Sequence, residues 1–101
     1  MVVTIIGSLI KKKEIDEIKA FWEGRGAVVN APGDPEIRKE PLVDIQRIWI
    51  EKIEESDLIV AIPKGVAMTA NGDSKYILEF GESTSYEMAI ARRFNKPILF
   101  G

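Results

Sequence analysis

The carboxyl-terminal part of the chain reads GESTSYEMA (residues 81–89) and, a few positions later, NKPILF (residues 95–100). Small and hydroxyl-bearing residues before a mixed polar and apolar run are typical of a turn that opens a helix, predicted here from about residue 84 to residue 94. Pro97 cannot continue that helix, and the apolar residues after it predict a short strand. A helix leading directly into an apolar strand is the repeating unit of α/β domains.

Glu87 places a carboxylate on the apolar stripe of this helix, because its i+3, i+4 and i+7 neighbours are Ile90, Ala91 and Phe94. Two interpretations are open. Thr84 and Glu87 match the S/T-x-x-E capping box, and a cap typically contributes about 1 kcal/mol. Alternatively, Glu87 is a nucleophilic carboxylate at the floor of a crevice, held ionised by the helix N-terminus. The pattern alone favours the cap.

Strand and helix patterns also alternate along the rest of the chain. Apolar runs predict strands at residues 2–6, 27–30 and 57–62, and amphipathic spacing predicts helices at residues 11–23 and 42–55. Residues 34–36 favour one short helical turn, and residues 71–73 favour a turn. Residues 75–80 favour a short extended piece or an edge strand.

This alternation predicts a mainly parallel sheet in the order 2-1-3-4, with helices on both faces. Ligands bind such sheets beyond the carboxyl ends of the strands, where the strand order reverses. The elements expected at that edge are Gly7-Ser8, the loop of residues 32–41, Pro63-Lys64 and the start of the third helix. The Glu87 carboxylate is therefore expected at the predicted crevice.

Composition limits the possible chemistry. The 101 residues are expected to form a single domain (residues 1–101), with 46% hydrophobic and 30% charged residues as in ordinary globular proteins. A formal net charge of -2 gives no basic field for nucleic acid. The absence of Cys and His removes thiol catalysis and the commonest metal ligands, so no metal and no cofactor are expected. Catalysis would have to come from carboxylates, hydroxyls, Lys or Tyr.

No membrane association is expected, because no apolar run approaches the roughly 20 residues of a membrane span. Residues 2–10 are apolar but lack a basic flank and a small-residue cleavage site, so no signal peptide is predicted. The expected location is cytoplasmic.

Further candidate positions each have a structural alternative. Gly7 and Ser8 can hold an anion on exposed N–H groups before the first helix, or simply form a tight turn. Ser83 and Ser85, with the hydroxyl of Thr84 between them, suit a phosphate or a sugar, although capping explains them equally well. The tryptophans, Trp22 and Trp49, lie on apolar helix faces, and core packing is the favoured interpretation for both.

The motif Gly81-Glu82-Ser83-Thr84-Ser85-Tyr86-Glu87, followed by Ala91 and Asn95-Lys96-Pro97-Ile98, resembles that of the nucleoside 2-deoxyribosyltransferase-like superfamily, and especially its short, uncharacterised bacterial and phage members. Ile6-Gly7-Ser8-Leu9 and residues 55–60 match in order and spacing. Residues 64–74 are an unmatched insertion. The resemblance implies a flavodoxin-like, three-layer α/β/α fold with a mainly parallel sheet of four to five strands.

The resemblance further implies chemistry on the N-glycosidic bond of a deoxynucleoside or its 5′-monophosphate, in a homo-oligomer. The glutamate matching Glu87 would attack the anomeric carbon, and another base or water would resolve the glycosyl ester. Gly7 and Ser8 would line the sugar or base site. Gly81 and Ser83 would bind the 5′ end of the sugar or its phosphate, with Ser85 beside them.

The chain departs from that superfamily's pattern at several positions. Trp49 falls about where the superfamily carries an aspartate that assists the departing base, and Asp44 lies more than a helical turn away. Ile10-Lys11 replace Arg or Gly near the first turn. The carboxyl-terminal segment that reaches a neighbouring subunit's site is not expected after Gly101. Three functions therefore stay open: an enzyme, a nucleotide- or phosphosugar-binding module without turnover, and a structural domain in which Glu87 only caps.

Overall fold

The computed structural model describes residues 1–34, 42–68 and 76–101. The helical turn predicted at residues 34–36 falls almost wholly outside the described residues, and the turn predicted at residues 71–73 falls outside them altogether.

The predicted strands and helices occur in the expected order along the described chain, and one strand that the sequence does not predict is added. Their bounds are β1 (Val2–Ile6), α1 (Lys12–Glu23), β2 (Val28–Asn30), α2 (Leu42–Glu55), β3 (Leu58–Ala61), β4 (Gly65–Met68), β5 (Tyr76–Glu79), α3 (Glu82–Arg93) and β6 (Ile98–Phe100). The added strand is β4, between β3 and β5. A 3-10 turn (Leu9–Lys11) precedes α1.

The main sheet is fully parallel and has the strand order β2-β1-β3-β6. The predicted order 2-1-3-4 is confirmed, because β6 is the fourth strand that the sequence predicts. The segment left open between an extended piece and an edge strand forms β5, which pairs antiparallel with β4 in a separate two-stranded sheet. A helix that joins two parallel strands must run antiparallel to them, so α2 and α3 both begin toward the carboxyl edge of the sheet.

One face of the sheet packs against α1. Val3 and Ile5 of β1 and Val60 of β3 form a buried cluster with Ile15 of α1. Trp22 is packed against this cluster, which confirms the core interpretation for that residue.

The opposite face packs against α2 and α3, so the predicted three-layer α/β/α architecture is confirmed. Successive strand residues point to opposite faces, and the neighbours of the α1-facing residues therefore form a second buried cluster. Its members are Ile6, Ile59 and Ala61 from the strands, Ile53 from α2, and Met88 and Ala91 from α3.

A polar network fixes the carboxyl-terminal half of α2 to the sheet. Thr4 and Ser56 are buried and hydrogen-bond to each other, and Ser56 Oγ donates to the Lys52 carbonyl oxygen at 2.6 Å. Asn30 Nδ2 donates to Thr4 Oγ1 and Lys52 Nζ donates to Asn30 Oδ1, both at 3.2 Å. Because buried polar groups must be satisfied, the network specifies where α2 lies on the sheet.

Among the residues that the structure describes, no helix combines the length and apolar character needed to cross a bilayer.

Candidate active-site groove between α2 and α3

The start of α3 excludes the capping box. The helix begins at Glu82, two residues earlier than predicted, with Gly81 extended at its N-cap and no side-chain capping bond. Thr84 lies inside the first turn and is 4% exposed, so it has helical geometry and cannot serve as the N-cap. The capping-box interpretation of Thr84 and Glu87 is therefore wrong. Glu87 is the sixth residue of the helix, beyond the turn whose N–H groups are unpaired.

A groove of about 210 Å³ runs between α2 and α3 on the sheet face that both helices cover. The α2 residues that line it follow helical spacing, and α3 contributes a second row of side chains across from them. The lining consists of Ile45, Gln46, Trp49, Ile50 and Ile53 from α2, and Ser83, Tyr86, Glu87 and Ile90 from α3.

Glu87 is the carboxyl group of this groove. It is partly buried, and desolvation raises its pKa from 4.5 to about 7. The expectation that the helix N-terminus holds Glu87 ionised is wrong in direction, because the favourable field of a helix terminus acts only within its first turn. In the described part of the chain no ion pair reaches Glu87, since the ion pairs join Lys12 to Asp16, Lys19 to Glu23 and Arg47 to Asp44.

Aromatic and polar side chains flank this carboxyl group. Trp49 is partly buried and faces the groove from α2, while Tyr86 is 62% exposed on α3. The exposed side chains of Gln46 and Ser83 add an amide and a hydroxyl. Chemically, the described lining residues offer one carboxyl group, two aromatic rings and a few hydrogen-bonding groups above an apolar floor.

The other predicted site residues do not line the groove. Gly7 follows β1, where a Cβ would come within 3.2 Å of Ile62 Cβ, so close packing explains this glycine. Ser8 is exposed, and its Oγ accepts from the Ile10 N–H at 3.4 Å. At the start of α3, Ser85 is exposed and its N–H donates to the Gly81 carbonyl at 2.9 Å.

The structure therefore brings together two of the six predicted site residues, Ser83 and Glu87, and adds others. The sequence predicts neither Gln46 nor Tyr86 in a site. It favours core packing for Trp49, which is only partly buried and lines the groove. The sequence did not indicate that one side of α2 would line a groove. A residue on the edge of an apolar helix stripe packs in the core or lines a groove depending on the neighbouring helix, which spacing alone does not reveal.

Within the described ranges, no three acidic side chains lie together in a way that could hold a metal ion.

No protein-family model and no curated protein sequence match this chain. Solved structures do. The CMP N-glycosidase of Clostridium botulinum superposes with a TM-score of 0.66 at 19% sequence identity, over 99% of this chain and 70% of its own. The 2-deoxyribosyltransferase of Leishmania mexicana superposes with a TM-score of 0.71, also at 19% identity, over 98% of this chain and 62% of its own. The chain has the nucleoside 2-deoxyribosyltransferase-like fold.

The resemblance drawn from residues 81–100 is thus confirmed at the level of the fold. The chain thus spans 70% of the length of the N-glycosidase and 62% of the length of the deoxyribosyltransferase.

Proposed function

We propose that this chain transfers or hydrolyses the N-glycosidic bond of a deoxynucleoside or a deoxynucleoside 5′-monophosphate, with Glu87 as the nucleophile. The proposal rests chiefly on the position of Glu87, which is not a cap and lies in an open groove. The fold supports the reaction class, because the two solved structures that share it are by name an N-glycosidase and a deoxyribosyltransferase.

The proposed reaction proceeds by two displacements. A Glu87 carboxylate oxygen bonds to the anomeric carbon as the carbon–nitrogen bond breaks, and the bonding pair leaves with the base, whose nitrogen takes a proton from water. Water or a second base then attacks the same carbon and loses a proton to solvent, and Glu87 is released as a carboxylate. Two inversions preserve the configuration, as in retaining glycosyl transfer. Only the ionised form of Glu87 can begin this sequence.

Ser83 and the glycine and serine positions around it have proposed binding roles. Ser83 lies one turn before Glu87 on α3, so its hydroxyl and that of a bound sugar can share the groove. With Gly81 and Ser85 it would bind the 5′ end or its phosphate, and Gly7 with Ser8 would line the sugar or base site. Ser83→Ala is expected to raise KM for a 5′-monophosphate more than for the nucleoside.

The test of the nucleophile is chromatographic detection of free base from deoxynucleosides and their 5′-monophosphates. Glu87→Gln keeps the shape of the side chain but removes its charge, so base release is expected to fall by at least about a hundredfold, the scale on which nucleophile removal acts. Glu82→Gln is the matched control, since Glu82 is exposed on the same helix and does not line the groove. Unchanged release in Glu87→Gln rules out this mechanism.

A binding module without turnover is the second candidate function. The observation in its favour is Trp49, which lines the groove where the superfamily resemblance leads one to expect a helper aspartate. In that case a nucleotide or phosphosugar raises the melting temperature, because binding to the folded state stabilises it. Such a shift with no free base, even on long incubation, would favour this candidate over the enzyme.

A further inference from the structure

Among the described residues that line the groove there is no Lys or Arg to act as a counter-charge for the Glu87 carboxyl group. The shift in its pKa to about 7 comes from burial. A carboxylate removed from water is costly unless a positive charge or hydrogen-bond donors compensate it. The ionised groove is therefore electrostatically complementary to a positively charged ligand.

Two aromatic rings line the same groove, Trp49 on α2 and Tyr86 on α3. Aromatic faces attract organic cations, and the attraction grows when the cation is desolvated. The floor beneath them is apolar, with Ile53 fully buried and Ile90 partly buried. A flat, weakly hydrated cation can contact the rings, the apolar floor and the carboxylate together, whereas a compact ammonium group is more strongly hydrated and covers less of the rings and the floor.

We propose that the groove selects nucleosides whose base is a planar cation, such as a pyridinium or an N-alkylated heterocycle, over nucleosides with a neutral base. The selectivity for the cation is a binding property of the groove. The cleavage that follows rests on the proposed function of Glu87.

The chemistry of departure also favours a cationic base. A neutral base must gain a proton as it leaves, whereas a pyridinium takes the bonding pair onto its nitrogen and departs as a neutral molecule. Glu87 is the only carboxyl group among the described lining residues, and the proposed mechanism uses it as the nucleophile. A cationic base needs no second acid, so Glu87 alone suffices for its release.

The pH dependence of the selectivity follows from the groups that face Glu87. From α3 the other ionisable lining group is Tyr86, and the α2 lining consists of apolar residues, Trp49 and Gln46. The sheet beneath contributes Ile6, Ile59 and Ala61. Among the described groups, Glu87 is then the one whose ionisation changes near neutral pH, and preference for the cation is expected to increase as pH rises through about 7.

The test uses two ribosides of nearly identical shape. Nicotinamide riboside has a permanently cationic ring, whereas benzamide riboside is its neutral carbon-linked counterpart. Calorimetry on the full chain is expected to give about tenfold tighter binding of the cation at about pH 8.5, and a smaller preference at about pH 5.5. Equal affinity for the two ribosides at the higher pH overturns the proposal.

Three variants separate the contributions of the Glu87 charge and the Tyr86 ring to the preference for the cation. Glu87→Gln should remove the preference for the cation, while the control Glu82→Gln should keep it. Tyr86→Leu should reduce it without unfolding the chain, because this side chain is 62% exposed. A preference that persists in Glu87→Gln contradicts the proposal.

Failure of the cation preference and failure of catalysis by Glu87 give different results. Selective binding without nicotinamide release supports the inference but counts against catalysis by Glu87. Release of neutral bases from deoxynucleosides, with no preference for the cation, supports the proposed function and overturns the inference.

Discussion

At the scale of the residue, the protonation state of Glu87 that favours stability differs from the one that the proposed chemistry requires. Burial stabilises its protonated form, whereas nucleophilic attack requires its carboxylate. Placing such a group in a groove is costly for the fold above neutral pH, and a purely structural role gives no reason for that cost. Perturbed carboxyl groups in clefts are characteristic of functional sites, although structural groups also show such shifts.

Glu87 should make the protein less stable as pH rises from about 4.5 to about 7. Its pKa is raised on folding, so the folded state binds more protons in this window and the free energy of unfolding falls, by at most about 3 kcal/mol. Urea unfolding at about pH 5 and about pH 8.5 measures the change. Glu87→Gln should lose this part of the pH dependence and Glu82→Gln should retain it; identical profiles in wild type and Glu87→Gln would contradict the assignment.

Activity should show the opposite trend. Because only the carboxylate attacks, kcat/KM for base release is expected to increase about tenfold per pH unit below the pKa of about 7 and to level off above it. Initial rates at saturating and limiting substrate across this range check the prediction. A rate that declines from pH 5 to 8 would assign Glu87 the role of an acid instead.

At the scale of the element, the sequence predicts α3 well at its end and poorly at its start. The end of α3 and the start of β6 are well predicted, because Pro97 cannot continue a helix and the residues after it are apolar. The start is ambiguous, since Gly81, Ser83 and Thr84 are all acceptable N-cap residues and the backbone at Gly81 determines the choice. The N-cap is Gly81 and not Thr84, three residues later, and this difference makes Glu87 a groove residue and not part of a cap.

Asn95 should be required for the end of α3. Its φ of 56° lies in the left-handed region, its N–H donates to the Arg92 carbonyl, and the Lys96 N–H donates to the Ala91 carbonyl, both at 3.0 Å. Asn and Gly tolerate this conformation, whereas a β-branched residue does not. Asn95→Gly should leave the free energy of unfolding nearly unchanged, and Asn95→Val should lower it by about 1–2 kcal/mol. Equal stability of the two variants in urea titrations would contradict this explanation.

At the scale of the whole molecule, the strand order was predictable because parallel strands and right-handed crossovers leave few arrangements. The groove was not predictable, because it depends on how far apart α2 and α3 lie. The position of α2 on the sheet is fixed partly by hydrogen bonds of Thr4 to Lys52 and Ser56, which lie 48 and 52 residues away in sequence. Hydroxyls in strands and at helix ends carry no sequence signal of mutual contact.

The proposed homo-oligomer would use the exposed edge of the main sheet at β6. β6 lies at one edge of the main sheet in the described chain, and its side chains Leu99 and Phe100 are 50% and 52% exposed. Phe21 of α1 lines the same shallow surface pocket and is 51% exposed. Unpaired strand edges with exposed apolar side chains favour association, whereas charges on an edge oppose it. Multi-angle light scattering is therefore expected to give a mass at least twice the 11.3 kDa of one chain.

Leu99→Lys should shift that mass toward the monomer, because it places a charge on the exposed edge. Val28→Lys is the matched control, since Val28 is 63% exposed on β2 at the opposite edge of the same sheet. The Leu99 variant must still melt cooperatively for its mass to be interpreted as loss of association. If wild type is a monomer at all concentrations, the homo-oligomer is excluded; if both variants dissociate equally, association does not depend on the β6 edge in particular.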